Sequence, residues 1–428
     1  MAVDDNGMQQ SPSKGLSTTR MVVPDVARGV ALLGIAVANL PTAWLTPGAA
    51  HSEFLGSINS VFDQILAVLT TLFAHNRGLP LFTTLLGFGV GLIAMSLWRK
   101  RFPPQRARQI IVRRYFFLAV FGAVHLLLIF YGDIMFYYGL SGMIIGLLLT
   151  MRDKVLSIIS YVIIGLTFVG SLAFLLWGLI SGIDMSAFTS AGIAGTDYST
   201  LGGLLQYNAI TFGLGLTGYP FYLIAYGPIM LIGFTWARRG VLADAASHRK
   251  ELIAWTVFGW IIILGIGLPW GLAAISVLPN ELEALFLATN SFVGTLTGPA
   301  LLAMFALLLQ PFQARVNNGE ALPVWLQVPM ALGKRSMSGY VFQSIAFFII
   351  CYPVVLGYTP DSVTAQTALA FGVWVASLLL AWMLEKTNKR GPFEAIHRRL
   401  SYGPTLQPEL YSAKQRKRLE QQPQQGQD

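Results

Sequence analysis

His125 and Asp133 stand eight positions apart in the otherwise apolar stretch GAVHLLLIFYGDIMFYYGLSG (122–142). Ionisable groups at lipid depth are costly and mark a function by default. A histidine there can take or give a proton near neutral pH. A carboxylate within reach can orient its ring. Both residues also have a purely architectural reading. His125 can fix packing through a bond to a neighbouring backbone carbonyl. The "GD" at the start of the next apolar run is a helix N-terminal signal, where a carboxylate satisfies orphan N–H groups and the helix dipole.

The elements that must position this pair are membrane helices. The chain has 428 residues, 54% hydrophobic and 11% charged, with a mean hydropathy of +0.59. A soluble chain carries about a quarter charged residues. Counting about 20 apolar residues per crossing, spans are expected near 26–45, 78–97, 113–131, 133–150, 155–180, 219–237, 251–277, 291–311, 336–357 and 363–385. The expected fold is therefore all-α, a polytopic bundle of about ten spans forming one domain over 21–402. Residues 1–20 and 403–428 are polar and read as disordered tails. The only cysteine, Cys351, excludes an intramolecular disulfide and a Cys-rich metal site.

The net charge of +9 is a matter of loops rather than of nucleic acid. Lys and Arg gather at 98–114, 151–154, 237–250, 333–335 and 388–399, whereas the loops at 44–60, 181–218, 278–290 and 357–363 have none. This alternation places both termini in the cytoplasm. It also decides residues 60–75: a further span there would put the basic run 98–114 on the wrong side. A helix at the outer surface, or a re-entrant one, is expected instead, with Asp63 on its polar face. "GIGLPWG" (265–271) and "YGPIMLIG" (226–233) are candidate kinks, and Gly142 and Gly146 candidate packing points.

In this topology Asn39, His51, His75, Arg77, His125 and Asp133 fall at similar depth in the outer half, where a bundle can bring them to one cavity. His75 reads as a bystander. At the inner side Asp25 and Arg28 form an i,i+3 pair. Arg108, Arg113 and Arg114 orient the chain and suit a phosphate-bearing ligand. No P-loop, HExxH, nucleophile elbow or dinucleotide fingerprint is present.

Five blocks in order, PDVARGVALLGIAVAN (24–39), LFTTLLGFGVGL (81–92), 122–142, GKRSMSGYVFQS (333–344) and RGPFEAIHRRLSYG (390–403), resemble the YeiB-like family of bacterial inner-membrane proteins. The family's "GDIL" turn is here "GDIM". The resemblance implies a multi-pass protein of the bacterial inner membrane and no established activity. The opening block also resembles the first span of the lysosomal heparan-alpha-glucosaminide N-acetyltransferase. That similarity implies a role in acetyl transfer for Asn39, and for His51 as a histidine in the following loop. Acyltransferase-three proteins carry a histidine in the first span; here Asn39 occupies that region, and His125 is the substitute.

Three functions are compatible with these residues. One is a transmembrane acyltransferase, taking an acyl group from a cytoplasmic thioester such as acyl-CoA to an envelope glycan or lipid outside. Histidine is then the base, Asn39 or Arg77 the donor to the oxyanion, and the arginines the guide for the donor's phosphates. No permanently bound cofactor is expected. A second is a proton-coupled transporter, against which stand the lack of a visible internal repeat and the crowding of polar groups in one leaflet. The third is a scaffold without chemistry.

Overall fold

A computed structural model describes residues 20–45, 55–182, 185 and 199–410. Among them eight helical stretches are long and apolar enough to cross a membrane: Val22–Trp44, Val61–Arg99, Pro104–Leu128, Asp153–Ser181, Leu201–Arg239, Arg249–Ala274, Glu281–Asn317 and Val363–Lys386. Two shorter apolar helices, Met135–Leu147 and Ser336–Cys351, complete the set. Each of the ten expected spans thus has a helical counterpart, and the chain is an all-α, multi-pass membrane protein. Large aliphatic side chains such as Leu166, Val169 and Ile180 lie on the outside, as contact with acyl chains requires.

Helix α1 (Val22–Asn39) continues into a π-helical turn at Leu40–Trp44. Next come α2 (Val61–Phe73), α3 (Gly78–Arg99), α4 (Pro104–Leu128), α5 (Met135–Leu147) and α6 (Asp153–Ser181). Helix α7 (Leu201–Arg239) starts on Thr200, whose hydroxyl accepts from the Gly203 N–H, and ends on Gly240 at φ +73°. It begins well before the span expected at 219–237. It stays helical through Pro220 and Pro228, so "YGPIMLIG" does not interrupt it. By contrast "GIGLPWG" takes its span through a π turn without ending it. Helix α8 (Arg249–Ile262) gives way to a π turn at Ile263–Gly267 before α9 (Leu268–Ala274). Helix α10 (Glu281–Val293) leads through a short 3₁₀ turn into α11 (Thr297–Asn317). The last four are α12 (Val324–Lys334), α13 (Ser336–Cys351), α14 (Val363–Lys386) and α15 (Pro392–Tyr402).

Residues 60–75 form a separate helix, as expected, but α2 enters the bundle. Val61, Phe62, Ile65, Leu69 and Phe73 make an exposed apolar stripe, and the opposite face packs on α9 and α14. Asp63, expected on a polar face, is buried. Its carboxylate accepts from Thr364 N–H (2.9 Å), Thr364 Oγ1 (2.5 Å) and Ser60 Oγ (2.7 Å), tying the start of α2 to the start of α14. Asp63→Ala is therefore expected to lower the melting temperature of the detergent-solubilised protein by several degrees, because it strands those buried donors. Thermal unfolding followed by tryptophan fluorescence checks this; an unchanged midpoint would show that the tether is dispensable.

Helices α2 and α3 are separated by a break at 74–77 with Asn76 at φ 56°, and together they make up the single stretch Val61–Arg99. Hydrogen bonds join the basic segments at one end of the bundle. Arg238 donates to the carbonyls of Leu149 and Met151, Arg335 to that of Lys389, and Arg106 to that of Glu409. The Asp63–Thr364 tether lies at the opposite end.

Candidate functional site

The short connection from α4 to α5 brings His125 and Asp133 together. Ile129 and Phe130 both donate their N–H to the His125 carbonyl, turning the chain back. The hairpin closes tightly because glycines face it: a side chain at Gly122 or Gly139 would collide with the backbone of the other helix. His125 Nδ1 then lies 2.8 Å from Asp133 Oδ1, and Asp133 Oδ2 accepts the Phe136 N–H at 2.8 Å. Both readings of Asp133 hold at once: it orients the imidazole and caps α5. The pair is 4% and 1% exposed. With Asp133 ionised, the carboxylate can only accept, and the ring proton of a neutral His125 is then on Nδ1. Nε2 is left with its lone pair. It is buried and has no hydrogen-bond partner among the described residues.

His125 stands eleven residues along α4 from Arg114, roughly 16 Å at the helical rise. Towards the opposite end the dyad is covered by aromatics. Phe130 stacks on Trp44 at 4.2 Å, and Trp44 meets Phe347 and Tyr352. Towards the basic end is a cavity of about 370 Å³ whose wall includes Ile134, Met135, Tyr138 and Tyr340. The Tyr340 ring is 5.4 Å from that of His125. The cavity widens to Arg20, Arg114 and Lys334, and an adjoining basic cavity of about 450 Å³ shares these three.

The polar groups expected to converge divide between two places. Asn39, the last residue of α1, lines a second cavity of about 180 Å³ with Thr42, His75, Asn76 and Asn290. Asn76 Nδ2 donates to the Asn290 carbonyl at 2.7 Å. His75, expected as a bystander, thus faces the same space as Asn39. The wall between the two cavities is thin: Tyr138, lining one, donates to the carbonyl of Leu79, lining the other, at 3.3 Å. Ile35 packs in the same layer with Met135 and Tyr340.

Arg77, expected near the outer surface and as an oxyanion donor, is buried and lines neither cavity. Nε donates to Leu72 O at 3.1 Å and Nη1 to Asn76 O at 2.9 Å. These are carbonyls set free where α2 stops, so Arg77 holds the break. His75 and Arg77 also lie deeper than expected, since Gly78 packs against Ala31, Gly34 and Ile35 in the middle of α1. His51 lies outside the described residues. Of the three arginines expected to meet phosphate, only Arg114 faces the cavity. Arg113 donates to the Leu400 carbonyl at 2.9 Å, and the Arg108 Nε is buried away from it. Sequence reasoning missed Tyr340, Arg20 and Lys334. Tyr340 and Lys334 lie in the block GKRSMSGYVFQS, a signal that pointed to the segment but not to the residues.

His397 on α15 closes the basic cavity, with Nε2 donating to the Arg114 carbonyl at 2.8 Å. Burial, helped by the Arg114 charge, pushes its pKa down to about 4. An unfolded imidazole binds its proton near 6.5. Between these values the unfolded state holds more protons, so stability is full above pH 6.5 and falls towards pH 4. The loss is expected to reach at most about 3 kcal/mol. Melting temperatures at pH 7.5 and 5 should differ more for the unaltered protein than for His397→Gln; equal differences would contradict the assignment.

Comparison with known proteins adds two relatives and a family match over part of the chain. The chain is 24% identical to the uncharacterized protein YxaH of Bacillus subtilis (strain 168) over 90% of its own length and 95% of that protein's. It is 28% identical to the uncharacterized protein YeiB of Escherichia coli (strain K12), over 89% and 96% respectively. Neither name states an activity. Residues 236–404, which include α12 to α15 and their basic residues, match the family described as a protein of unknown function (DUF418). The chain is thus a multi-pass membrane protein similar over nearly its whole length to YxaH and YeiB, with a segment that matches DUF418.

Proposed function

We propose that this protein transfers an acyl group from a thioester donor at the cytoplasmic, basic end to a hydroxyl-bearing acceptor from the outer side of a bacterial inner membrane. The observation that carries this reading is the buried His125–Asp133 pair, with Nδ1 tied to the carboxylate and Nε2 unpartnered. Nε2 takes the proton of the acceptor hydroxyl while its oxygen attacks the thioester carbonyl. The C–S bond then breaks, and the imidazolium returns the proton to the departing thiolate. Asp133 steadies the imidazolium. The Tyr340 hydroxyl serves the developing oxyanion, a duty first expected of Asn39 or Arg77. Arg20, Arg114 and Lys334 receive the donor's anionic part. Asn39 and His75, across the thin wall, face the acceptor side. Basic segments at one end favour a cytoplasmic location for that end and for both termini.

Labelled acetyl-CoA and longer acyl thioesters, supplied to inverted membrane vesicles with native acceptors present, test this. Label passing into lipid or glycan only when the protein is present supports it; no incorporation from any thioester would remove it.

A second reading, proton-coupled transport, is favoured by one observation: two cavities from opposite ends stop at the single layer of Ile35, Leu79 and Tyr138. Flux across sealed proteoliposomes that disappears in His125→Ala would select it.

A further inference from the structure

A third cavity bears on the membrane itself. Helices α13, α14 and α15 enclose a groove of about 490 Å³ walled by Phe342, Ile345, Leu380, Leu384 and Phe393. Its rim is open sideways, since Ile345, Leu380 and Met383 are exposed at the lipid-facing surface. At the basic end the groove stops on Arg335 and Lys389, and the basic cavity begins on the same two residues. Arg335 is already engaged with the Ala331 and Lys389 carbonyls and with Glu385 at 2.7 Å. Lys334 also pairs with Glu385, at 2.6 Å. Lys389 and Arg390 have no acidic partner among the described residues, and both line the basic cavity. Helix α15 carries Arg398 and Arg399 beside exposed Ile396 and Leu400, the mixture of a helix lying in a membrane interface.

From this we infer that the groove and the adjoining cations form a binding site for an anionic phospholipid of the leaflet at the basic end, with an acyl chain between α13 and α14 and the phosphate on Lys389 and Arg390. The argument is one of joined chemistry. A groove that is apolar along its length and cationic at one end matches a molecule with a long hydrocarbon arm and a negative head. A free phosphate would leave the apolar wall unfilled, and a neutral lipid would bring no counter-charge to a cavity where Glu385 is taken by Lys334 and Arg335 and Glu394 accepts from the Met337 and Ser338 N–H groups. The chain beyond Leu410 is a poor occupant, because 411–428 offers only Tyr411 and Leu419 as large apolar groups among many charged and amide side chains. The site is separate from the His125–Asp133 pair but shares the basic cavity with Arg20, Arg114 and Lys334; lipid retention and label transfer are read in different experiments, so a failure of one is distinguishable from a failure of the other.

The experiment is native mass spectrometry of the full chain, released from nanodiscs of phosphatidylcholine containing an equal share of phosphatidylglycerol with chains of distinguishable mass. Retention of one phosphatidylglycerol in preference to phosphatidylcholine is expected. Lys389→Gln with Arg390→Gln should weaken that preference on the order of thirtyfold, from the worth of two cations near an anionic lipid. Phe342→Ala, which thins the groove and keeps the cations, should weaken retention of both lipids. Equal retention of the two lipids, or an undiminished preference in the double variant with an unchanged melting temperature, overturns the proposal. Stabilisation by inorganic phosphate equal to that by phosphatidylglycerol also overturns it, in favour of a soluble phosphate site.

Discussion

His125→Gln is expected to lower acyl transfer into the acceptor fraction by about 10²–10⁴-fold, the usual worth of a general acid–base group. Glutamine keeps a polar side chain of similar reach but cannot shuttle a proton. Membrane insertion and melting temperature should stay close to those of the unaltered protein. Asp133 has two duties, and two substitutions separate them. The native pair uses two oxygens, Oδ1 for the imidazole and Oδ2 for the Phe136 N–H, at 2.8 Å each. In Asp133→Asn the amide oxygen keeps the Phe136 N–H, and the amide NH2, which only donates, faces Nδ1 and drives the ring proton to Nε2. The capped hairpin therefore survives, but no negative charge faces the imidazolium that forms during transfer. A loss of about 10²-fold or more with unchanged stability is expected. Asp133→Ala additionally strands two buried donors, at about 1–3 kcal/mol each, so its melting temperature should fall as well. The measurement is label incorporation per folded protein in inverted vesicles, alongside thermal unfolding in detergent. Full transfer in folded His125→Gln protein would end the acyltransfer reading.

The largest expected effect on folding is at Gly333. Helices α1 and α12 pass so closely that a side chain at Gly333 would collide with the Asp25 carbonyl, and one at Gly29 with the Pro329 carbonyl. The contact runs backbone to backbone, so no rotamer change relieves it. Gly333→Ala must push the helices apart, which also moves Lys334 and Arg335 at the mouth of the cavities. The cost is about 3 kcal/mol or more, large beside the 5–15 kcal/mol that typically holds a domain together. Gly165→Ala is the control, because nothing lies within 4 Å of the added carbon. There alanine should be neutral or stabilising by up to about 1 kcal/mol. Size-exclusion profiles and melting temperatures of the two variants check this; similar behaviour of both would mean that α1 and α12 do not pack as described.

Residues Gly142 and Gly146 teach the same lesson about legibility. Their small size marked them as packing points, and they do face Tyr115 and Ile111, but the sequence could not name the partner. Helix α12 escaped detection altogether. It is eleven residues long with Pro329 inside it, too short to read as a span and too apolar to read as a loop. Its place is set by α1, against which it lies.

The sequence by itself determined the spans, their alternation and the local pair. Hydrophobic length and the placing of Lys and Arg are one-dimensional quantities, and lipid and water read them directly. The His125–Asp133 contact was within reach because the two residues belong to one hairpin, where local geometry leaves few alternatives. The tertiary structure alone decided which polar groups share a space. The rotation of each helix about its axis is set by side-chain packing with neighbours distant in sequence, and no pattern in a single chain reports it. For that reason Asn39 meets His75 rather than His125. Arg77 turns to the carbonyls of a broken helix, and Arg114 faces the cavity while Arg108 and Arg113 do not.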